Sequence, residues 1–109
     1  MATTDSEIGE IEILDNPEEQ RFEAHLGGRL LGIAEYEAGE GSIVFVHTEV
    51  LPDAEGMGVG SALARGALDA TRSSGRRIVP ECPFITSYVR RHHDWDDVID
   101  WPGRPAKSG

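Results

Sequence analysis

A chain of 109 residues with twenty acidic and ten basic side chains has a formal charge of −10 at neutral pH, and its length allows one small core and not a second. The charge excludes nucleic acid as a partner, because binding a polyanion relies on lysine and arginine to displace counterions. No apolar run reaches membrane-spanning length and no basic-then-apolar leader opens the sequence, so the expectation is an unexported, cytoplasmic protein with no membrane partner.

In chain order, residues 1–10 are polar and acidic without periodicity and are expected to be a disordered N-terminus. A single domain is expected over residues 11–100. It begins with a short strand at residues 11–14 and an Asp15-Asn16-Pro17 turn. Phe22, Ala24 and Leu26 then alternate with Arg21, Glu23 and His25, the period of a half-exposed strand. Gly27-Gly28 is a two-residue hairpin signal. Residues 29–37 are apolar on both alternations for part of their length, which predicts a strand covered on both faces. Gly39-Glu40-Gly41 turns the chain into a strand over residues 43–50, where Val44, Val46, Thr48 and Val50 alternate with Phe45, His47 and Glu49.

After Pro52 comes a glycine-rich turn, Glu55-Gly56-Met57-Gly58-Val59-Gly60, and then a helix to about residue 74. Its buried stripe is predicted at Val59, Leu63, Ala67 and Ala70, with Ser61, Arg65, Asp69 and Arg72 opposite. Gly75 is a natural helix stop. Residues 76–80 read as a short strand parallel to the one before the helix, joined by a right-handed crossover. Pro83 suits the first position of a second helix carrying Phe84, Ile85, Tyr88, Val89 and His92. One more turn follows, with Trp95 covering an edge of the core, and residues 101–109 are expected to be a loose tail. The elements together predict an α+β domain with a mixed, mainly antiparallel sheet and two main helices.

The glycine-rich turn has two readings. Its composition fits any tight strand-to-helix connection. It also lets backbone approach a ligand, with the free N–H groups of a helix start pointing outward, which suits a phosphate. It is neither a P-loop nor a dinucleotide fingerprint, since no Gly-Lys-Ser/Thr follows and G-x-G-x-x-G is absent. The charge distribution bears on the choice. Residues 1–60 hold fourteen acidic side chains against two basic, and residues 61–109 hold eight basic against six acidic. An anionic ligand is therefore better tolerated near Arg65 and Arg72 than near the strands.

Cys82, the single thiol, cannot form an internal disulfide, which agrees with a reducing compartment. It reads either as a buried small hydrophobe or as a thiol placed before a helix N-terminus that favours the thiolate, with Glu81 acting the other way. His47 on a strand, and Tyr88 and His92 one helical turn apart, are each either packing residues or proton carriers. The group His92, His93, Asp94, Asp96 and Asp97 invites a metal, but adjacent histidines do not converge on one ion from a helix, so no metal is expected. Ser61 is not in a nucleophile elbow.

The segment Glu55-x-x-Gly58-x-Gly60, with His47-Thr48-Glu49-Val50 before it and Cys82-Pro83-Phe84 and Tyr88-Val89-Arg90-Arg91-His92 after it, resembles the acyl-CoA loop and flanking motifs of the GNAT superfamily of N-acetyltransferases. The likeness is to its minimal single-domain GNAT-like subfamily and covers residues 22–97. It implies a GNAT-type fold whose central strand splays from its parallel neighbour. It also implies that Val50, Glu55, Gly56, Met57, Gly58, Val59, Gly60 and Ser61 hold acetyl-CoA. Glu55 stands where the pattern has Gln or Arg, which removes one side-chain contact to phosphate. By the same resemblance Cys82 faces the acetyl thioester, either taking the acetyl group before passing it on or lining the pocket, and Tyr88 is the acid; histidine chemistry suits the base, for which His47 and His92 are available. The implied function is acetyl transfer to a primary amine of a small molecule or protein. The alternative is a non-catalytic acyl-CoA-binding or protein-interaction module. The acceptor is not written in the sequence; the acidic first half points to a cationic one such as a polyamine or a lysine-bearing peptide.

Overall fold

The computed structural model describes residues 10–103; the expected N-terminal disorder before residue 10 and the tail beyond residue 103 lie outside the described residues. Five strands form one sheet in sequence order: β1 (Glu12–Asn16), β2 (Arg21–Leu26), β3 (Arg29–Ala38), β4 (Ser42–Val50) and β5 (Arg77–Pro80). All neighbours are antiparallel except β4 and β5, which are parallel across α1 (Val59–Ser73). After β5 come α2 (Pro83–Arg91) and a 3₁₀ segment, His93–Val98. No helix among the described residues is long and apolar enough to cross a membrane.

The alternation read from the sequence sets the two faces of the sheet. Phe22, Ala24, Ala34, Tyr36, Ile43 and Phe45 are buried and share one face by their pairing. Phe22, Tyr36 and Phe45 form an aromatic cluster on it, with ring centroids 5.3–6.4 Å apart, within the range of favourable aromatic pairs. α1 lies over this face. A β-carbon on Gly32 would come 2.8 Å from the Glu49 carbonyl oxygen and 3.2 Å from a Val59 methyl, and one on Gly66 would meet Ile13 at 2.7 Å. Helix and sheet close to this distance because these two positions carry no side chain. The stripe on α1 is Val59, Leu63, Ala64, Ala67, Leu68 and Thr71. It turns past the expected Ala70, which is exposed, and Thr71 is accommodated by donating to the Ala67 carbonyl at 2.9 Å.

β3 is not covered on both faces as expected. Leu31 is buried because the pairing of β2 with β3 shifts at Ala24/His25 and leaves it as an extra residue, a bulge that re-aims a side chain. Ile33 and Glu35 on the other face stay half-exposed. The turn between β1 and β2 occupies only residues 17–20, too short to carry a helix across that face.

α2 begins at Pro83 with Cys82 as its cap residue. Trp95 in the following 3₁₀ segment is 1% exposed, and its Nε1–H donates to Asp69 of α1 at 3.0 Å. The tail is tied down where it starts, since Trp101 packs on the core and the Arg90 guanidinium lies 5.0 Å from its ring centroid.

Candidate functional site

The parallel pairing of β4 with β5 covers only Ser42–Phe45 against Arg77–Pro80. Pro80 brings no N–H to continue the ladder. The N–H groups of Glu81 and Cys82 both turn to the Phe45 carbonyl, at 3.0 and 2.8 Å. β4 runs on to Val50 while the other chain leaves into α2, so the sheet opens in a wedge between β4 and the start of α2. The bulge at Glu35/Tyr36 makes Val46 the extra residue of β4. Beyond it, Thr48 and Val50 face the helices, and His47 and Glu49 face the opposite side.

Cys82 sits inside the wedge, 2% exposed, and its thiol donates to Thr48 Oγ1 at 3.3 Å. This contact closes the bottom of the gap. Val50, one alternation further along β4, reaches a pocket of 260 Å³ lined by Ala54, Glu55, Gly56, Gly58, Val59, Gly60, Ser61 and Phe84. All the residues expected to hold acetyl-CoA are therefore brought together except Met57, which belongs to the same turn but projects outward, 46% exposed.

The chain reaches this turn through a short 3₁₀ segment, Pro52–Ala54. Gly56 and Gly58 have φ of 86° and 79°, and a β-carbon on either would meet nothing within 4 Å. Here glycine is required by backbone conformation, and the space above it is open. Gly58 caps α1 without a side-chain hydrogen bond, and no acidic residue lies in the first turn. The first N–H groups of α1 at Val59, Gly60 and Ser61 thus have no partner within their own helix, and they carry its positive dipole end into the pocket.

Sequence reasoning missed two positions. Phe84 walls the pocket from α2, and its ring lies 2.8 Å from where a β-carbon of Gly60 would stand. Gly60 is glycine because the ring packs on it. Gly32 lets β4 and the start of α1 close over β3. An exposed aromatic at the second position of a helix could have marked Phe84; Gly32, in mid-strand, signalled only a close backbone approach.

The proposed proton carriers are distributed differently. Tyr88 is buried on α2, with its ring 4.3 Å from His92 and 5.9 Å from Trp95. It lies six residues beyond Cys82, about 9 Å along the helix axis. His92 is exposed at the helix end. His47 is exposed on the face away from Cys82, near Glu49 at 3.4 Å. The arginines expected near an anion are partly committed elsewhere. Arg72 makes a two-pronged ion pair with Asp97 at 2.8 and 2.9 Å, and Arg65 lies between Asp94 and the Trp95 ring. His93 pairs with Asp96. Among the described residues no three His, Cys, Asp or Glu side chains are placed to hold a metal ion.

The family model described as GCN5-related N-acetyl-transferase matches residues 21–98. The fold is similar to the solution structure of a GCN5-like protein from Staphylococcus aureus, 21% identical, with a TM-score of 0.62 over 90% of this chain and 96% of that one. A GNAT family acetyltransferase from Brucella melitensis, solved with acetyl-CoA, is 26% identical over 65% of this chain and 49% of its own, with a TM-score of 0.49. Ard1 from Thermoplasma volcanium is 22% identical over 57% and 42%, with a TM-score of 0.47. Comparison with curated proteins gave no match.

Proposed function

The chain belongs to the GCN5-related N-acetyltransferase family, and from that premise we propose that it moves the acetyl group of acetyl-CoA to a primary amine within the wedge between β4 and α2. The observation that carries this reading is an uncapped helix start, in an open pocket, on the same face of β4 as a buried thiol. The pyrophosphate of the cosubstrate is held by the backbone of residues 56–61, with Val50 and Phe84 as apolar walls and Glu55 and Met57 at the rim. No side-chain cation is needed, since aligned N–H groups and the helix dipole supply the positive potential.

The acetyl group then lies near Cys82. Transfer by the shortest route has the neutral amine attack the thioester carbonyl, so that a C–N bond forms, the C–S bond breaks and the departing sulfur takes a proton. Tyr88 is the acid for that proton, its ring packed against His92, and His92 or, on the far face, His47 accepts the proton of the incoming ammonium. The two-step route has the Cys82 thiolate take the acetyl group first, releasing CoA thiol, and the amine then cleave the Cys82 thioester.

Acetyl-CoA at a hundred times its dissociation constant is expected to stabilise the protein by about 2.7 kcal/mol, read as a rise in melting temperature. An unchanged melting temperature at saturation defeats the reading. Cys82→Ala separates the routes: the covalent one predicts loss of transfer, coenzyme affinity kept within a few-fold, and a hydroxylamine-labile acetyl group on the wild-type Cys82. Full transfer by the variant returns Cys82 to a packing role. Tight binding without turnover on any amine leaves a coenzyme-binding module instead.

A further inference from the structure

We infer that Thr48 is a catalytic residue whose hydroxyl donates to the thioester carbonyl oxygen of acetyl-CoA, and that the Cys82 thiol aims it by donating to Thr48 Oγ1. This rests on the acetyl-transfer reading above. Attack of the amine moves negative charge onto the carbonyl oxygen, where it stays until the C–S bond breaks. A preorganised donor aimed at that oxygen is a large part of acyl-transfer catalysis. Tyr88 serves the departing sulfur, and Thr86 is turned back, donating to the Pro80 carbonyl at 3.2 Å. Thr48 is held at the bottom of the wedge by its contact with Cys82.

The sheet fixes where this hydroxyl stands. Thr48 pairs with Ala34 of β3, which is fully buried, so both side chains lie on the face toward the helices. Val50, which lines the pocket at the glycine-rich turn, is one alternation further, about 7 Å along the strand. A coenzyme anchored at that turn with its arm in the wedge runs from Val50 toward Thr48. Pairing with β5 has already ended at Phe45, and Thr48 is half-buried, reachable yet shielded enough for a hydrogen bond to count. Its branched side chain, on a strand paired to β3, has little freedom to turn. A threonine hydroxyl has one proton and two lone pairs. The thiol, 3.3 Å away, donates into one lone pair, which turns the hydroxyl proton away from the sulfur. Among the described residues that proton has no acceptor, and it is free for the carbonyl oxygen. The arrangement requires Cys82 to remain a thiol, because a thiolate would take the Thr48 proton for itself. It therefore selects the direct route, with Cys82 as a positioning residue.

The test reads the carbonyl itself, on the full chain. Acetyl-CoA labelled with ¹³C at the thioester carbonyl is bound to the wild type, Thr48→Val, Thr48→Ser and Cys82→Ser, and its C=O stretch is taken from infrared difference spectra. A donated hydrogen bond lowers that frequency. The wild type and Thr48→Ser are expected to share a low band, and Thr48→Val, of the same shape without the hydroxyl, a higher one. Cys82→Ser, whose hydroxyl makes the same donation, is expected to keep the low band, and Cys82→Ala to move toward the band of Thr48→Val. With a lysine peptide as amine, Thr48→Val is expected to lower kcat about a hundredfold with KM for acetyl-CoA within twofold, and Thr48→Ser to restore most of it. The same band in the wild type and Thr48→Val, or the same kcat, overturns the proposal; the spectrum needs no acceptor and decides it even where the peptide is not turned over. A low band kept by Cys82→Ala overturns the aiming role of the thiol. Absence of an acetyl-CoA shift in the wild-type melting temperature defeats the acetyl-transfer reading itself, whereas a shift with identical bands removes Thr48 alone.

Discussion

The two faces of the sheet carry different kinds of information. On the helix side, neighbours meet at contact distance and a single methyl matters: Gly32 and Gly66 are fixed by what a β-carbon would strike, and Phe22, Tyr36 and Phe45 fill one aromatic cluster. On the open side, shape constrains little, and charge is what distinguishes one residue from another. Packing on the first face brings a helix start, a strand end and a thiol together.

The largest effect is expected from breaking the packed face. Phe45→Ala removes a fully buried ring and is expected to cost about 3–5 kcal/mol, a large part of the 5–15 kcal/mol that holds a domain of this size. Glu37→Gln on the open face is expected to stay within about 0.5 kcal/mol. Urea midpoints of the two variants measure the contrast; similar losses would mean that the open face is packed against something in solution.

A smaller effect separates two glycines of the glycine-rich turn. At Gly58 alanine meets no atom but must adopt φ of 79°, a strain of about 1–2 kcal/mol. At Gly60 the backbone is ordinary helix, and the new methyl would lie 2.8 Å from the Phe84 ring, which must swing away. Gly58→Ala is therefore expected to lower stability with the pocket wall in place. Gly60→Ala is expected to lose acetyl-CoA affinity by displacing that wall, and Gly60→Ala combined with Phe84→Ala should recover part of the fold stability without recovering affinity. Thermal shifts with and without acetyl-CoA read both quantities; recovery of affinity in the double variant would remove Phe84 from the site.

Much of this was legible in the sequence because it depends on local chemistry. The Gly27-Gly28 hairpin adopts positive φ at both residues, the glycine-rich turn starts a helix, and Pro83 opens another. The β4–β5 splay was legible only by resemblance. Features set by pairing across the sheet were not readable. Burial of Leu31 and the outward face of His47 follow from bulges that no run of residues announces, because a bulge exists only relative to a partner strand. The charge count of the second half was correct but its use was not. Arg72 is held by Asp97 and Arg65 lies by Asp94, both from the segment after α2, contacts made by tertiary folding, so the free cations expected for an anion were over-counted. Phe84 carried the opposite error: an apolar residue on a helix reads as core, whereas it is 36% exposed at a pocket wall.

The smallest effect sharpens the open face, where the Glu23 carboxylate is held by its neighbours. Hydrogen bonds from His25, Asn16 and Arg21, in that order of weight, pull its pKa down from 4.5 to about 2 against a desolvation that opposes them. A carboxylate whose folded value lies below its unfolded value stabilises the fold above the unfolded value, and this is lost as pH falls through the folded one. The Glu23 contribution is thus fully present above about pH 5 and disappears as the pH drops from 4.5 toward 2. Solvent beside this network screens it, so its expected size is about 1 kcal/mol. Glu23→Gln, which cannot ionise, should unfold more readily in urea than the wild type at pH 6 and equally at pH 2, with the two curves converging between pH 4.5 and pH 2. A constant difference across that range would show that Glu23 acts by shape and not by charge, and would place this corner of the open face under the rules of the packed one.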